Sequence, residues 1–456
     1  MDVREASVAY DVLAAAEADA VPVGYKRMEV GIIPEDWRVV KLPDISWFQE
    51  GPGVRNYQFT TSGVKLFNGT NIENGRINLD TTGRYISEEE AYGWYRHFLA
   101  DAGDIVIACS GVSIEKFDEK VGVLSLKDLP LCMNTSTMRF KVKSEQICKE
   151  YFRHFLKSKV FKSQVSGIAT GSAQLNFGPA HVSAIDVPLP AHAEQNVIAA
   201  ALSDADTLIE SLEQLLAKKR QIKHGTMQEL LTGKKRLPGF KGVWQTKTLG
   251  DIFTISGGFS ASRAQLSSEG HCYLHYGDIH TSDKTFIDVR AEFQDIPKLH
   301  VSLKCIAPGA LLDDGDVVFV DASEDDEGAS KHVVVANPDR TPFISGLHTI
   351  VAKAKSAELD HLYLRYCFQT RAVKSQFRFF AVGTKVSGIS KSNIVKVTIP
   401  IPTRTEQSAI AAILSDMDAE IAALETHHAK ARALKQGMMQ ELLTGRIRLL
   451  PPESEC

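Results

Sequence analysis

PAHAEQNVIAAALSDADTLIESLEQLLAKKRQIKHGTMQELLTGKKRL, residues 190–237, returns without a gap as PTRTEQSAIAAILSDMDAEIAALETHHAKARALKQGMMQELLTGRIRL at 402–449. The shift is 212 residues and 27 of 48 positions are identical, so these are two copies of one helical unit. In the first copy Ile198, Leu202, Ala205, Ile209, Leu212 and Leu216 recur at alternating four- and three-residue steps. Ile410, Leu414, Met417, Ile421 and Leu424 do the same in the second, which predicts the helix–helix seam of a coiled coil. Thr403 and Glu406 predict a capping box at the second start, and Gly233 and Gly445 predict C-terminal caps. From Glu194 to Leu231 such a helix spans roughly 57 Å at 1.5 Å per residue. Gly225 and Gly437 fall inside it, where glycine costs about 1 kcal/mol relative to alanine, so a kink or a close contact is expected to compensate.

Charge gives the helices a direction. Each is acidic in its N-terminal half (Glu194, Asp204, Asp206, Glu210, Glu213; Glu406, Asp416, Asp418, Glu420, Glu425) and basic in its C-terminal half (Lys218, Lys219, Arg220, Lys223; Lys430, Arg432, Lys435). Antiparallel packing sets acid beside base at both ends, whereas parallel packing opposes like charges. The helices are therefore predicted to pair antiparallel.

The 212-residue frame continues upstream. Asp104–Val106 matches Asp316–Val318, Tyr151 and Arg153 match Tyr363 and Arg365, and Lys162 matches Lys374. Near the start the shift is 207, aligning Trp37, Leu42 and Ile45 with Trp244, Leu249 and Ile252. The fold class expected is α+β: two globular domains separated by two long helices packed as an antiparallel coiled coil, an internal pseudo-two-fold duplication. The segments are an acidic extension at 1–24 (read as a short helix or unstructured over 1–20), a domain at 25–189, the central helix at 190–237, a second domain at 238–401, the C-terminal helix at 402–450 and a tail at 451–456. Strands are predicted at Asp104–Cys109, Val121–Leu126, Val317–Val320 and Val333–Ala336, with helices over Cys148–Gln164 and His361–Phe377. The stretches between the matched positions diverge, as two binding units with different targets would.

Composition excludes several classes. No stretch approaches 18 apolar residues and the start lacks a basic-then-apolar leader, so no membrane role is expected. The seven cysteines are scattered without a C-x-x-C pair, which points to a reducing cytoplasm. His271, Cys272, His275 and His280 fit no standard ligand spacing, so no metal site is expected. The net charge of −4 resides in the tails, and a balanced body can still carry a basic face. An enzyme lacks its parts: Asn337-Pro338 continues as Asp339-Arg340, not as an adenine-methyltransferase motif, and Gly233-Lys234-Lys235 is no phosphate-binding loop. The carboxylates at Asp313, Asp314, Asp316 and 324–327 match no ligand pattern and read as a solvated loop.

The whole plan resembles the DNA-specificity subunits of Type I restriction–modification systems. The resemblance rests on the E-Q-x-x-I-A-x-x-L-S-x-x-D openings at Glu194 and Glu406 and the Q-E-L-L-T-G endings at Gln228 and Gln440. It also rests on IPEDWRVVKLPDI at 33–45, GSAQLN at 171–176 and DASEDDEGASKHVVV at 321–335. It implies two target recognition domains, each reading one half of a bipartite asymmetric site in double-stranded DNA. It further implies docking of two modification subunits through the exposed helix surfaces and their Gln-Glu-Leu-Leu-Thr-Gly ends, and of two restriction subunits where the system has them. No cofactor is expected on this chain: S-adenosylmethionine would sit on the modification subunits, ATP and magnesium on restriction subunits. The alternative is a coiled-coil scaffold presenting two protein- or ligand-binding domains.

Base edges need polar side chains on loops, and phosphates need cationic or amide donors. Candidates in the first domain are Ser110, Gly111, Lys116, Lys120, Ser172, Gln174 and Asn176; those in the second are Ser323, Lys331, His332, Thr384, Lys385 and Ser387. Arg153/Arg365 and Lys162/Lys374 occur in both halves, which suits phosphate contact or fold better than specificity.

Overall fold

The computed structural model describes residues 21–143, 145–168, 174–282, 284–323, 331–381 and 387–449. By contact the chain divides into one unit of residues 1–212 with 427–456 and a second of 213–426. Each unit thus takes one globular α+β domain, half of the first long helix and half of the second. The long helices run His192–Leu230 and Arg404–Leu442.

In the first unit a four-stranded antiparallel sheet has the order Val121–Val123, Ile105–Ala108, Thr137–Val142, Ser46–Glu50. Beside it Leu131–Met133 runs parallel to Val64–Phe67, which pairs antiparallel with Tyr85–Ile86. In the second unit a five-stranded sheet has the order Phe253–Gly257, Thr349–Ala354, Val317–Val320, His332–Ala336, Phe286–Asp288. Its smaller companion contains His271–Leu274 parallel to Phe343–Ser345. Central strands such as Ile105–Ala108 and Val317–Val320 are buried throughout, so they read as continuous apolar runs.

Each helix predicted after the sheet is two helices. Lys149–Lys157 is followed by Lys159–Ile168, and His361–Cys367 by Arg371–Phe380. The break falls at the matched residues Ser158 and Thr370. Both are extended, and their hydroxyls accept from the amides of Phe161 and Val373, capping the second helix of each pair.

Antiparallel packing of the long helices is visible inside each unit. In the second, Lys219 faces Glu420 while Lys223, further along, faces Asp418, earlier on the partner helix. In the first, Lys435 faces Asp206. The seam residues divide into two groups. Ile198 and Leu202 enter the first unit's core beside Leu442 and Leu443, and Ile410 and Leu414 enter the second's beside Leu230 and Leu231. Leu212, Leu216 and Ile421 are buried outside those cores, while Ala205, Ile209, Met417 and Leu424 are half-buried. The leucines of the Gln-Glu-Leu-Leu-Thr-Gly endings are therefore spent on the cores and are not free to dock a partner.

Glu406 does not close a capping box with Thr403. Its carboxylate, 1 % exposed, accepts both arms of Arg236 at 2.6 and 2.8 Å and the indole N–H of Trp244 at 3.1 Å. The first unit repeats this clasp: Glu194, also 1 % exposed, accepts from Arg448 at 2.6 and 2.8 Å and from Trp37 at 3.1 Å. Arg448 adds a bidentate pair to Asp36, and its hydrogen bond holds that carboxyl below the usual range. The clasp ties the start of a domain, the start of one long helix and the end of the other. Gly233 and Gly445, with φ of +70° and +69°, let the chain turn back to place those arginines. At Gly225 and Gly437 an added Cβ meets open space, so the close contact expected there is absent. Among the described residues no helix is long and apolar enough to cross a membrane.

Candidate nucleic-acid interface

In the first unit, strand Ile105–Ala108 leads through Cys109 into a tight turn at Ser110-Gly111, where Gly111 takes φ +67°. Val112–Ser113 then pairs antiparallel with Gln174–Leu175. The Asn176 side-chain oxygen accepts from Ser110 Oγ and the Gly111 amide, both at 2.9 Å. Four expected residues (Ser110, Gly111, Gln174 and Asn176) are thus brought together, while Ser172 lies outside the described residues.

Beside this turn opens a groove of about 700 Å³, lined by Ser110, Gly111, Lys116 and Lys120 together with Asn68, Thr81, Thr82, Arg84 and Asn134–Ser136. Its lining contains three cations and no carboxylate. Lys120 is partly committed, donating to the carbonyls of Ile72 at 2.6 Å and Gly69 at 3.4 Å; Lys116 is exposed. Asn134 Nδ2 donates to Asn68 Oδ1 at 2.8 Å, and Ser136 Oγ accepts from the Gly69 amide at 3.1 Å. Hydroxyls, amides and cations without acid suit phosphates and base edges. A smaller cleft that also includes Ser110 is lined by Glu50, Cys109 and His181. Burial pushes the Cys109 thiol up to about 12, assisted by Glu50, so it stays protonated and is no nucleophile.

In the second unit Ala322–Ser323 pairs with Ser387–Gly388, joining the backbones of Ser323 and Ser387; Thr384 and Lys385 lie outside the described residues. Lys331 is tied down by the carbonyls of His280 at 2.6 Å and Ser282 at 3.4 Å. His332 is 4 % exposed, packed against Phe319 and Phe368, and therefore belongs to the core and not to a DNA-facing loop. The sequence match to polar positions placed it on a loop, but it opens strand His332–Ala336.

The positions matching the first groove carry other chemistry here: His275, Tyr276, Leu347 and His348 in place of Asn68, Gly69, Thr135 and Ser136. Tyr276 lies edge-on to His348 at 5.4 Å and His348 Nδ1 is 3.3 Å from Asp321 Oδ1. Burial, then nearby Arg263, lowers the His275 pKa, and its ring accepts from the Gly277 amide. Tyr276 and the residues before strands Thr137–Val142 and Thr349–Ala354 were not anticipated; the one available signal was the loss of similarity just before the aligned Thr137 and Thr349.

The arginines common to both halves serve the fold. Arg365 pairs with Asp418 of the long helix at 3.1 Å, and Arg153 stands 3.6 Å from the matched Asp206. Lys374 lines a groove of about 940 Å³ in the second unit, where Arg220, Lys223 and Arg365 are already paired with Glu425 and Asp418. Among the described residues no group of three or more His, Cys, Asp or Glu side chains is placed to hold a metal.

The comparisons agree with this duplicated plan. The family model of the Type I restriction modification DNA specificity domain matches twice, over residues 34–221 and 242–433. The chain is 32% identical over 213 residues to the Type I restriction enzyme MjaVIII specificity subunit of Methanocaldococcus jannaschii, a match covering 47% of this chain and 49% of that one, so it spans about half of that relative. It is 21% identical over 457 residues to the StySPI specificity subunit of Salmonella potsdam, covering 92% and 90%. The crystal structure of the Type-I restriction-modification system S subunit from M. genitalium shares the fold, with 14% identity, 89% and 96% coverage and a TM-score of 0.50. Two family domains, each carried on a shared frame with its own loop chemistry, establish that the chain belongs to the Type I restriction–modification DNA-specificity family, whose members are non-catalytic subunits.

Proposed function

We propose that this chain reads a bipartite, asymmetric double-stranded DNA site, one recognition domain per half-site, and docks two adenine-methyltransferase modification subunits in the cytoplasm. The observation that carries the reading is the acid-free groove of Ser110, Lys116, Lys120 and Arg84 in the first unit, set against unlike side chains at matched positions of the second. Two equivalent frames with different polar faces are what an asymmetric split target requires. Docking is supported by apolar side chains left exposed on the long helices: Leu208, Leu215 and Ile222 at seven-residue spacing on the first, Leu434 on the second. The methyl donor would be bound by the modification subunits and not by this chain, with ATP and magnesium on restriction subunits where these join.

Methylome sequencing of the host with and without the chain tests this. Loss of one split motif carrying N6-methyladenine on both strands is expected; an unchanged methylome in an active host overturns the reading. Replacing residues 25–189 with another member's domain changes one half of the motif only.

A further inference from the structure

The two domains share one turn with matching backbone anchors, whose side chains are unlike and whose third residue is left-handed in the second domain alone. In the first domain the turn is Asn134-Thr135-Ser136, just before strand Thr137–Val142. In the second it is Gly346-Leu347-His348, just before Thr349–Ala354. The amides of Asn134 and Gly346 donate to the carbonyls of Phe67 and Leu274 at 3.1 and 2.9 Å. The carbonyls of Ser136 and His348 accept from the amides of Cys109 and Asp321 at 2.9 and 3.1 Å. The hydroxyls of Thr137 and Thr349 donate to the carbonyls of Asn134 and Gly346 at 2.8 and 2.5 Å. These three anchors are duplicated between the domains.

The tips differ in each property that matters for recognition. Thr135 and Ser136 line the acid-free groove and present hydroxyls. Leu347 is 45 % exposed, an apolar side chain aimed at solvent from a rigid turn. His348 takes φ +58°, a left-handed conformation that an ordinary side chain occupies at a cost. Its ring lies with Nδ1 3.3 Å from Asp321 Oδ1 and edge-on to Tyr276 at 5.4 Å. Asp321 stands where the first domain has buried Cys109, so a ring beside a carboxylate is special to the second domain. A left-handed backbone, a polar ring beside a carboxylate and an exposed leucine on an anchored turn are not needed to complete a core.

We infer that these two turns are the specificity-determining tips: Thr135-Ser136 reads base edges in one half-site, and Leu347-His348 reads them in the other. The class of ligand is the major-groove edge of a base pair. Leu347 offers the contact a thymine methyl takes, and His348 offers the ring nitrogen not facing Asp321 to an adjacent base. The inference rests on the proposed DNA-reading function, and deepens it by naming the residues that set the two half-sites apart.

The test uses the full chain assembled with its modification subunits and duplex libraries randomised one base pair at a time across the whole site. Leu347→Thr with His348→Ser transplants the first tip into the second domain. His348→Asn alone keeps a residue that accepts the left-handed backbone. Both variants are expected to change base preference about tenfold or more at one or two adjacent positions of a single half-site. The other half-site and binding to unrelated DNA should stay within about twofold. Thr135→Leu with Ser136→His should move the opposite half-site. Unchanged preference in both halves, with thermal midpoints near that of the parent, overturns the assignment while leaving the bipartite reading intact. A parent complex without any bipartite preference overturns both.

Discussion

Replacing Arg448 by alanine should destabilise the first unit far more than removing any exposed ion pair on the long helices. Arg448 gives Glu194 two hydrogen bonds, at 2.6 and 2.8 Å, and Glu194 is 1 % exposed. Without the guanidinium the carboxylate keeps one donor, the Trp37 indole N–H at 3.1 Å. Breaking a buried pair by removing one partner typically costs about 3–5 kcal/mol, because a charge is left desolvated and uncompensated. The Arg448 side chain is itself 25% exposed, so water reaches part of the gap and the lower end, about 3 kcal/mol, is expected. For a unit of this size that corresponds to a fall in midpoint of roughly 6–12 °C, at about 2–4 °C per kcal/mol. Tryptophan fluorescence, to which the Trp37 indole contributes, reads the midpoint during thermal or urea unfolding. Lys219→Ala is the control, since its pair with Glu420 is open to solvent on both sides, 32% and 49% exposed, and worth under about 1 kcal/mol. Arg236→Ala should reproduce the effect through Glu406 in the second unit. A shift for Arg448→Ala no larger than that for Lys219→Ala would refute the reasoning.

Other outcomes follow from the same geometry. Burial, with Arg153 adjacent, lowers the His154 pKa from 6.5 to about 2, so below pH 6.5 only the unfolded chain takes up that proton. Stability is therefore lost as pH falls below about 6.5, with a slope approaching about 1.4 kcal/mol per pH unit, and His154→Tyr, copying the matched Tyr366, should remove that contribution; equal slopes in urea titrations at pH 5–7.5 would count against it. Gly225→Ala and Gly437→Ala fill open space on helix interiors and should each stabilise by about 1 kcal/mol, read by urea midpoint. Destabilisation there would reveal a conformation that alanine cannot take. Lys116→Ala should weaken binding evenly across DNA sequences and reduce the steepness of the salt dependence by about one unit in a log–log plot. A change in base preference instead would make Lys116 a reader and not a phosphate contact.

Local pattern alone carried much of this molecule. The alternating four- and three-residue steps marked both long helices, and the reversal of charge along each, from Glu194 and Asp206 to Arg220 and Lys223, favoured an antiparallel pair. The 212-residue frame marked two equivalent domains with unlike loops. These features are legible because helix periodicity and charge order are one-dimensional, and duplication is a property of the string itself. Tertiary structure decided where each pattern is spent. Leu230, Leu231, Leu442 and Leu443 look like a docking end but complete two cores, since a helix face does not state which surface covers it. His332 reads as a polar loop residue but lies between two phenylalanines. Ser158 and Thr370 break helices because their hydroxyls meet free amides, a competition that apolar periodicity does not register. The turns at Asn134–Ser136 and Gly346–His348 emerged as equivalents only when strands distant in sequence supplied their anchors. Apart from the helix breaks, which are local, the physical reason is shared: propensity is written in neighbours along the chain, whereas burial and site geometry are set by partners that only folding brings together.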